Sequence, residues 1–159
     1  MYASFRETNL DVVLCTLFLL CYLLVVSLYH MKPLFLIADD SPGKRELLKR
    51  IILRNMNAEI LEASTTEEAQ DLIGEHVEFA AAFVDYEIPS ENGPSVIRTL
   101  KKHNPACLIA LVSSADSEVY KQKAKNAGAD ACICTSWPLN RVESELNLLL
   151  AGWGAEISD

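Results

Sequence analysis

The chain contains 159 residues, of which 50% are apolar and 23% are charged, and its formal net charge at pH 7 is -8. This length predicts one domain with an additional segment, and the apolar content excludes a disordered chain. The excess of acidic groups argues against a nucleic-acid-binding surface, because phosphate backbones are bound by basic faces.

An uncharged apolar run occupies residues 12–29 near the N-terminus. As a helix, about 18 residues span roughly 27 Å, which is enough to cross the hydrocarbon core of a bilayer. More cations follow the run than precede it, so such an anchor would hold the rest of the chain at the cytoplasmic, inner face of the membrane. A second interpretation stays open: translation starts at Met31, and residues 1–30 result from a wrongly assigned start codon. The membrane is a partner only if residues 1–30 are expressed.

Apolar runs alternate with amphipathic segments after residue 31. The runs predict five strands, at residues 33–38, 58–63, 79–85, 107–114 and 131–134. The intervening patterns predict five helices, at residues 41–55, 64–73 with a stop at Gly74, 94–102, 117–127 with a stop at Gly128, and 139–150. We therefore divide the chain into an apolar segment (1–30), a domain (31–150) and a short tail (151–159), in which Trp153 is either exposed or a small hydrophobic anchor.

Continuous apolar strands that alternate with helices indicate a parallel sheet covered on both faces. Right-handed crossovers then give an α/β, doubly wound, five-stranded parallel sheet. Ligands of such sheets bind outside the carboxyl ends of the strands. The residues at those ends are Asp39 and Asp40, Asp85, Ser113 and Thr135.

Three acidic residues converge if the first and third strands are neighbours. Crowded carboxylates repel one another, and a bound Mg²⁺, which prefers hard oxygen ligands, would relieve that repulsion. Asp85 beside a metal is suited to act as a nucleophile toward a phosphoryl donor, giving an aspartyl phosphate. The hydroxyl of Ser113 is placed to donate a hydrogen bond to a phosphoryl oxygen.

Several ordered segments resemble the receiver domain of two-component response regulators. They are Asp39–Asp40 after FLIA, FVDYEIPSENG at 83–93, LVSSAD at 111–116 and AGADA at 127–131. The acid, Pro and Gly at positions 85, 89 and 93 have the spacing of the family. The resemblance covers residues 32–150 and implies the flavodoxin-like, CheY-like (βα)5 fold.

The resemblance also implies roles for individual residues. Asp85 would be the phosphoacceptor and Ser113 the switch hydroxyl. Mg²⁺ would be held by Asp40 directly, by Asp39 through water or as a second ligand, by Asp85, and by the backbone carbonyl of Glu87.

Two positions depart from the family pattern. Thr135 stands where the family has a Lys that pairs with the phosphoryl group, and if the Trp137–Pro138 pair is aligned instead, Trp137 takes that place. Neither side chain supplies an ammonium, and loss of a charge-assisted bond removes about 1.5–3 kcal/mol. Cys132 replaces the aromatic residue that the family often has on the fifth strand.

We expect a single-domain response regulator that accepts a phosphoryl group on Asp85 in a phosphorelay. Its partners would be a histidine kinase or phosphotransfer protein, and a downstream protein bound by the face of helix four, strand five and helix five. The chain is not expected to be an enzyme that turns over a substrate. The alternative, favoured by the missing Lys, is a degenerate receiver that binds proteins independently of phosphorylation.

Overall fold

The computed structural model describes residues 13–19, 21, 32–75 and 78–158. The chain divides into two compact units, Met1–Lys32 and Pro33–Asp159. In the first unit residues 13–19 and 21 are helical. The described residues include no helix that is both long and apolar enough to cross a membrane. Residues 12, 20 and 22–29 of the predicted anchor, and the start at Met31, lie outside the described residues.

The second unit is a regular alternation of strands and helices. The strands are β1 (Leu34–Ala38), β2 (Glu59–Ala63), β3 (Phe79–Asp85), β4 (Leu108–Ser113) and β5 (Ala131–Cys134). The helices are α1 (Pro42–Asn55), α2 (Thr66–Glu75), α3 (Gly93–His103), α4 (Glu118–Ala127) and α5 (Leu139–Ser158). All strand pairs are parallel, in the order β2-β1-β3-β4-β5, which confirms the predicted α/β fold class.

The sheet separates two hydrophobic cores because its side chains alternate between faces. Along β1, Phe35 and Ile37 belong to the core beneath α1 and α5, whereas Leu36 and Ala38 belong to the core beneath α2, α3 and α4. Nearly continuous apolar strands are needed for this arrangement, since both faces of β1 and β3 are buried. The sheet is therefore apolar on both faces, and the polar residues follow its strands at the carboxyl edge.

Side chains at the helix ends explain where several helices begin and end. The hydroxyl of Ser41 accepts the backbone N–H of Lys44 at 3.4 Å, and Pro42 occupies the first turn of α1. Asn92 caps α3 in the same way, accepting the N–H of Ser95 at 3.2 Å. Gly128 ends α4 with φ of 110°, a left-handed conformation that glycine adopts readily.

Two predicted helix ends were wrong. Gly74 does not stop α2, which continues to Glu75. The last helix does not end at Leu150 but continues to Ser158, so residues 151–158 of the predicted short tail are helical. Trp153 explains the extension: it is only 4% exposed, and its ring centroid lies 5.4 Å from that of Phe83 on β3. Burial of an indole outweighs the low helix propensity of the flanking glycines.

Candidate functional site

The residues predicted at strand ends lie at one edge of the sheet. Ala38 pairs with Val84, which places Asp39 beside Asp85, the last residue of β3. The pairing of Asp85 with Val112 places Ser113 next to them. The backbone N–H of Thr135 donates to the carbonyl of Ser113 at 2.8 Å. Parallel pairing of β1, β3, β4 and β5 thus assembles the four positions.

Three carboxylates converge at this edge. Asp39, Asp40 and Asp85 each offer one oxygen, and these oxygens lie within 4.8 Å of one another. Asp39 and Asp85 are 1% and 4% exposed, whereas Asp40 faces solvent. The N–H of Ser41 donates to Oδ1 of Asp39 at 2.8 Å. The buried Oδ2 of Asp39 accepts no hydrogen bond of good geometry.

A lysine that the sequence analysis did not single out completes this cluster. Nζ of Lys44 lies 2.9 Å from Oδ2 of Asp39 and 3.1 Å from Oδ1 of Asp85. The contact with Asp39 is an ion pair and not a hydrogen bond. Nζ and Oδ2 are close together, but their orientation does not satisfy hydrogen-bond geometry. A single ammonium therefore forms ion pairs with two buried carboxylates.

Burial and crowding control the ionisation of these groups. Burial raises the pKa of Asp39, although its bonds with Lys44 and Ser41 oppose the change. Burial also raises the pKa of Asp85, and the nearby charge of Asp39 adds to the effect. Burial alone would lower the pKa of Lys44, but the two carboxylates more than compensate and raise it. The pocket thus holds more negative charge than its ammonium neutralises.

The donor set fits a hard divalent cation. Three carboxylate oxygens that lie within 4.8 Å of one another are ligands that Mg²⁺ prefers, and Oδ2 of Asp39 accepts no hydrogen bond, so only its ion pair with Lys44 would have to shift for a cation to bind it. The residues that would hold Mg²⁺ are Asp39, Asp40 and Asp85. The carbonyl of Glu87 as a further ligand stays a prediction.

Ser113 and Thr135 provide hydroxyls and no positive charge. Ser113 is buried, and its Oγ accepts the N–H of Ala115 at 3.2 Å. Thr135 is partly buried where β5 ends. The structure places both side chains at the carboxyl edge, and their roles in a phosphorylated state stay predictions.

The loop after β3 is folded tightly against Asp85. The N–H of Gly93 donates to the carbonyl of Tyr86 at 3.0 Å. A Cβ atom at position 93 would lie 2.1 Å from the backbone oxygen of Asp85. Only glycine fits there without a shift of the loop, which explains physically why the acid–Pro–Gly spacing was informative.

Two tyrosines connect this loop to α4. The rings of Tyr86 and Tyr120 are stacked, with centroids 3.5 Å apart and an interplanar angle of 7°. The hydroxyl of Tyr120 donates to Oε1 of Glu87 at 2.9 Å. Sequence reasoning missed this connection, because no local spacing signals a contact between side chains more than thirty residues apart.

The sequence of the chain matches a known protein family. The model of the response regulator receiver domain family matches residues 35–147, which is most of the chain. Among curated proteins, the "Glycerol metabolism activator" of Pseudomonas putida is 25% identical over 118 residues, which cover 74% of this chain and 53% of that protein. The "Cyclic di-GMP phosphodiesterase" of Thermotoga maritima is 32% identical over 95 residues, which cover 60% of this chain and 25% of that protein. The chain thus spans about half or less of the length of these relatives.

Solved structures show the same fold. A CheY-like receiver domain protein from Methanospirillum hungatei superposes with a TM-score of 0.66 at 23% identity, covering 79% of this chain and 99% of that one. A response regulator from Burkholderia pseudomallei, solved with a phosphorylated aspartic acid and a calcium ion, gives 0.63 at 23% identity, covering 79% and 72%. From the match of the family model over most of its length, together with this fold, the chain belongs to the response regulator receiver domain family.

Proposed function

We propose that this chain accepts a phosphoryl group on Asp85 as part of a two-component phosphorelay. The observation that carries the proposal is the position of Asp85, at the end of β3, within 4.8 Å of two further carboxylates and enclosed by the loop that Gly93 closes. The Burkholderia pseudomallei relative, whose structure contains a phosphorylated aspartic acid, supports the assignment.

The proposed reaction transfers a phosphoryl group from a histidine of the partner to the carboxylate of Asp85. A carboxylate oxygen of Asp85 forms a bond to phosphorus as the P–N bond of a phosphohistidine on the kinase or phosphotransfer protein breaks, and the departing imidazole takes up a proton. Mg²⁺ held by Asp39, Asp40 and Asp85 would neutralise charge on the phosphoryl oxygens. Ser113 is positioned to donate a hydrogen bond to one of them. Each cycle loads one phosphoryl group, so the chain is a signalling protein rather than an enzyme with turnover.

The signal would pass to a downstream protein through the face formed by α4, β5 and α5. Two exposed apolar side chains support a protein contact there: Val119 on α4 is 60% exposed and Leu139 on α5 is 56% exposed. The buried free thiols of Cys107 and Cys134 agree with a reducing compartment such as the cytoplasm.

A second candidate function is a receiver that binds its partners without phosphorylation. The absence of a Lys at position 135 favours it, as does the ammonium of Lys44 between Asp39 and Asp85. In this case the pocket would be permanently occupied by an internal ion pair.

Intact mass spectrometry separates the two functions. The full chain is incubated with Mg²⁺ and acetyl phosphate, beside the Asp85→Asn variant. The proposal expects a gain of one phosphoryl group in the wild type, sensitive to a metal chelator, and none in Asp85→Asn. A folded wild type that gains no mass would favour the phosphorylation-independent function.

A further inference from the structure

Lys44 stands in a position that its own helix disfavours. It is the third residue of α1, where the positive end of the helix dipole repels a cation, and the first turn of α1 contains no acid to offset this. A lysine that contradicts the local preference of its helix indicates a role beyond helix formation. Its side chain is 22% exposed, so it keeps partial contact with solvent.

The ammonium of Lys44 is already in contact with the atom group that would be phosphorylated. Nζ lies 3.1 Å from Oδ1 of Asp85. The neighbouring cation, Arg45, is directed elsewhere, with Nη1 donating to the carbonyl of Asp39 at 2.7 Å and Nε paired with Glu62 at 3.1 Å. Within residues 32–75 and 78–158, the cation that forms an ion pair with Asp85 is Lys44.

A phosphoryl group on Asp85 would increase the negative charge of a pocket that already holds three carboxylates. Thr135, at the end of β5, has no charge with which to balance it. A lysine side chain has a flexible four-carbon stem, so Nζ can shift from a carboxylate oxygen to a nearby phosphoryl oxygen while its backbone stays in the capped first turn of α1.

We propose that Lys44 is the cation that pairs with the phosphoryl group on Asp85, supplying from α1 the ammonium that β5 lacks. This inference rests on the proposed function. It makes Lys44 a catalytic residue in the transfer, because the ammonium contacts the reacting oxygens as negative charge accumulates on them.

The test measures the initial rate at which the full chain gains a phosphoryl group from acetyl phosphate at saturating Mg²⁺. In this reaction an oxygen of Asp85 bonds to phosphorus and acetate departs with the electrons of the broken P–O bond. Lys44→Met keeps the length of the side chain and removes its charge. We expect the rate to fall about ten- to hundredfold, the effect of losing one charge-assisted hydrogen bond. Lys49→Met is the matched control, because Lys49 lies on α1 but pairs with Glu62, and its rate should equal that of the wild type.

A second variant keeps the test decisive if Lys44→Met does not fold. Thr135→Lys alters a partly exposed strand end and adds an ammonium on the other side of the pocket. If Lys44 already supplies the cation, Thr135→Lys should raise the rate less than about threefold; if the wild type lacks such a cation, the gain should be about ten- to hundredfold. Where Lys44→Met does fold, the double variant Lys44→Met with Thr135→Lys should recover most of the wild-type rate.

The affinity for Mg²⁺, measured by isothermal titration calorimetry, distinguishes this role from a structural one. Removing a positive charge from beside Asp39 and Asp85 should leave Mg²⁺ binding as strong as in the wild type or stronger, while phosphorylation slows. An unchanged or faster rate in folded Lys44→Met would overturn the role of Lys44 alone, as would a large gain in Thr135→Lys. A wild type that gains no phosphoryl group would instead overturn the proposed function and this inference with it.

Discussion

Asp85→Asn should make the protein more stable, because the charges around Asp85 do not offset the cost of burying its carboxylate. At an effective dielectric constant of about 20, two like charges about 5 Å apart repel by about 3 kcal/mol. Asp85 experiences one such repulsion, from the buried Asp39, a weaker one of about 1 kcal/mol from the solvent-exposed Asp40, and one attraction of about 5 kcal/mol with the ammonium of Lys44. These charge interactions nearly cancel, so the lost hydration of the buried carboxylate, which is also the largest cause of its raised pKa, makes the balance unfavourable.

The expected result is a rise of about 1–3 kcal/mol in the free energy of unfolding at pH 7, since amide replacement removes both repulsions and leaves Lys44 paired with Asp39. Urea unfolding followed by far-ultraviolet circular dichroism, in the presence of a chelator, measures it. Asp71→Asn is the control: this exposed acid on α2 should change stability by no more than about 0.5 kcal/mol.

The pH dependence of the stability difference between Asp85→Asn and the wild type gives a second measurement of the cost of the charged Asp85. The pKa of Asp85 is raised in the folded protein, mainly by burial and then by the charge of Asp39, so the folded state binds a proton more tightly than the unfolded state. The cost of the charged group is therefore present above the folded pKa and disappears as the pH falls through it. The advantage of Asp85→Asn should shrink as the solution is acidified from pH 7 toward pH 4. An Asp85→Asn protein less stable than the wild type at pH 7 would refute this reasoning and show that Lys44 overcompensates the repulsion.

Three further predictions concern packing around the sheet. Trp153→Ala should lower the free energy of unfolding by about 3–5 kcal/mol in urea, because it removes a buried indole that packs on Phe83. Gly93→Ala should cost about 1–3 kcal/mol and slow phosphorylation, because the added Cβ collides with the backbone oxygen of Asp85. Burial raises the pKa of Cys107 to about 12, so at pH 8 native protein should react with iodoacetamide at this thiol at least about a hundredfold more slowly than unfolded protein, as read by peptide mass spectrometry.

Matched variants make these outcomes interpretable. Trp137→Ala removes a partly exposed indole and should cost less than Trp153→Ala; equal losses would contradict the role assigned to the end of α5. Gly43→Ala adds a Cβ with no atom within 4 Å, so a loss as large as that of Gly93→Ala would argue against a steric cause. Labelling of native Cys107 as fast as in urea would show that β4 opens locally.

The sequence was most informative where local patterns and burial agree. The runs at residues 79–85 and 131–134 are continuous, apolar and bounded by polar residues, and both became strands with those bounds. The acids that follow the first and third strands meet because parallel neighbours end at one edge. Once the strand order is assumed, the convergence of these acids can be predicted from the sequence.

The extent of α5 and the position of Lys44 depend on tertiary contacts, so they could not be predicted from local sequence patterns. The extent of α5 depends on the burial of Trp153 against β3, and the flanking glycines alone predict a break. The place of Lys44 depends on a flexible side chain folding back over the sheet edge, which helical spacing does not reveal. A lysine in the first turn of a helix that lacks early acids was the one local signal available.

The two tryptophans of the chain occupy contrasting surroundings. Trp153 lies in the core beneath α5, so its fluorescence should be blue-shifted and should respond when the domain unfolds. Trp137 follows β5, where its Nε1–H donates to Asp116 at 3.3 Å and the guanidinium of Arg141 lies 3.8 Å from its ring centroid. Polar contacts of this kind shift emission to the red and quench it. The emission spectrum should therefore combine two contributions, one that reports mainly on the integrity of the core and one that also responds to rearrangement of the segment that follows Thr135.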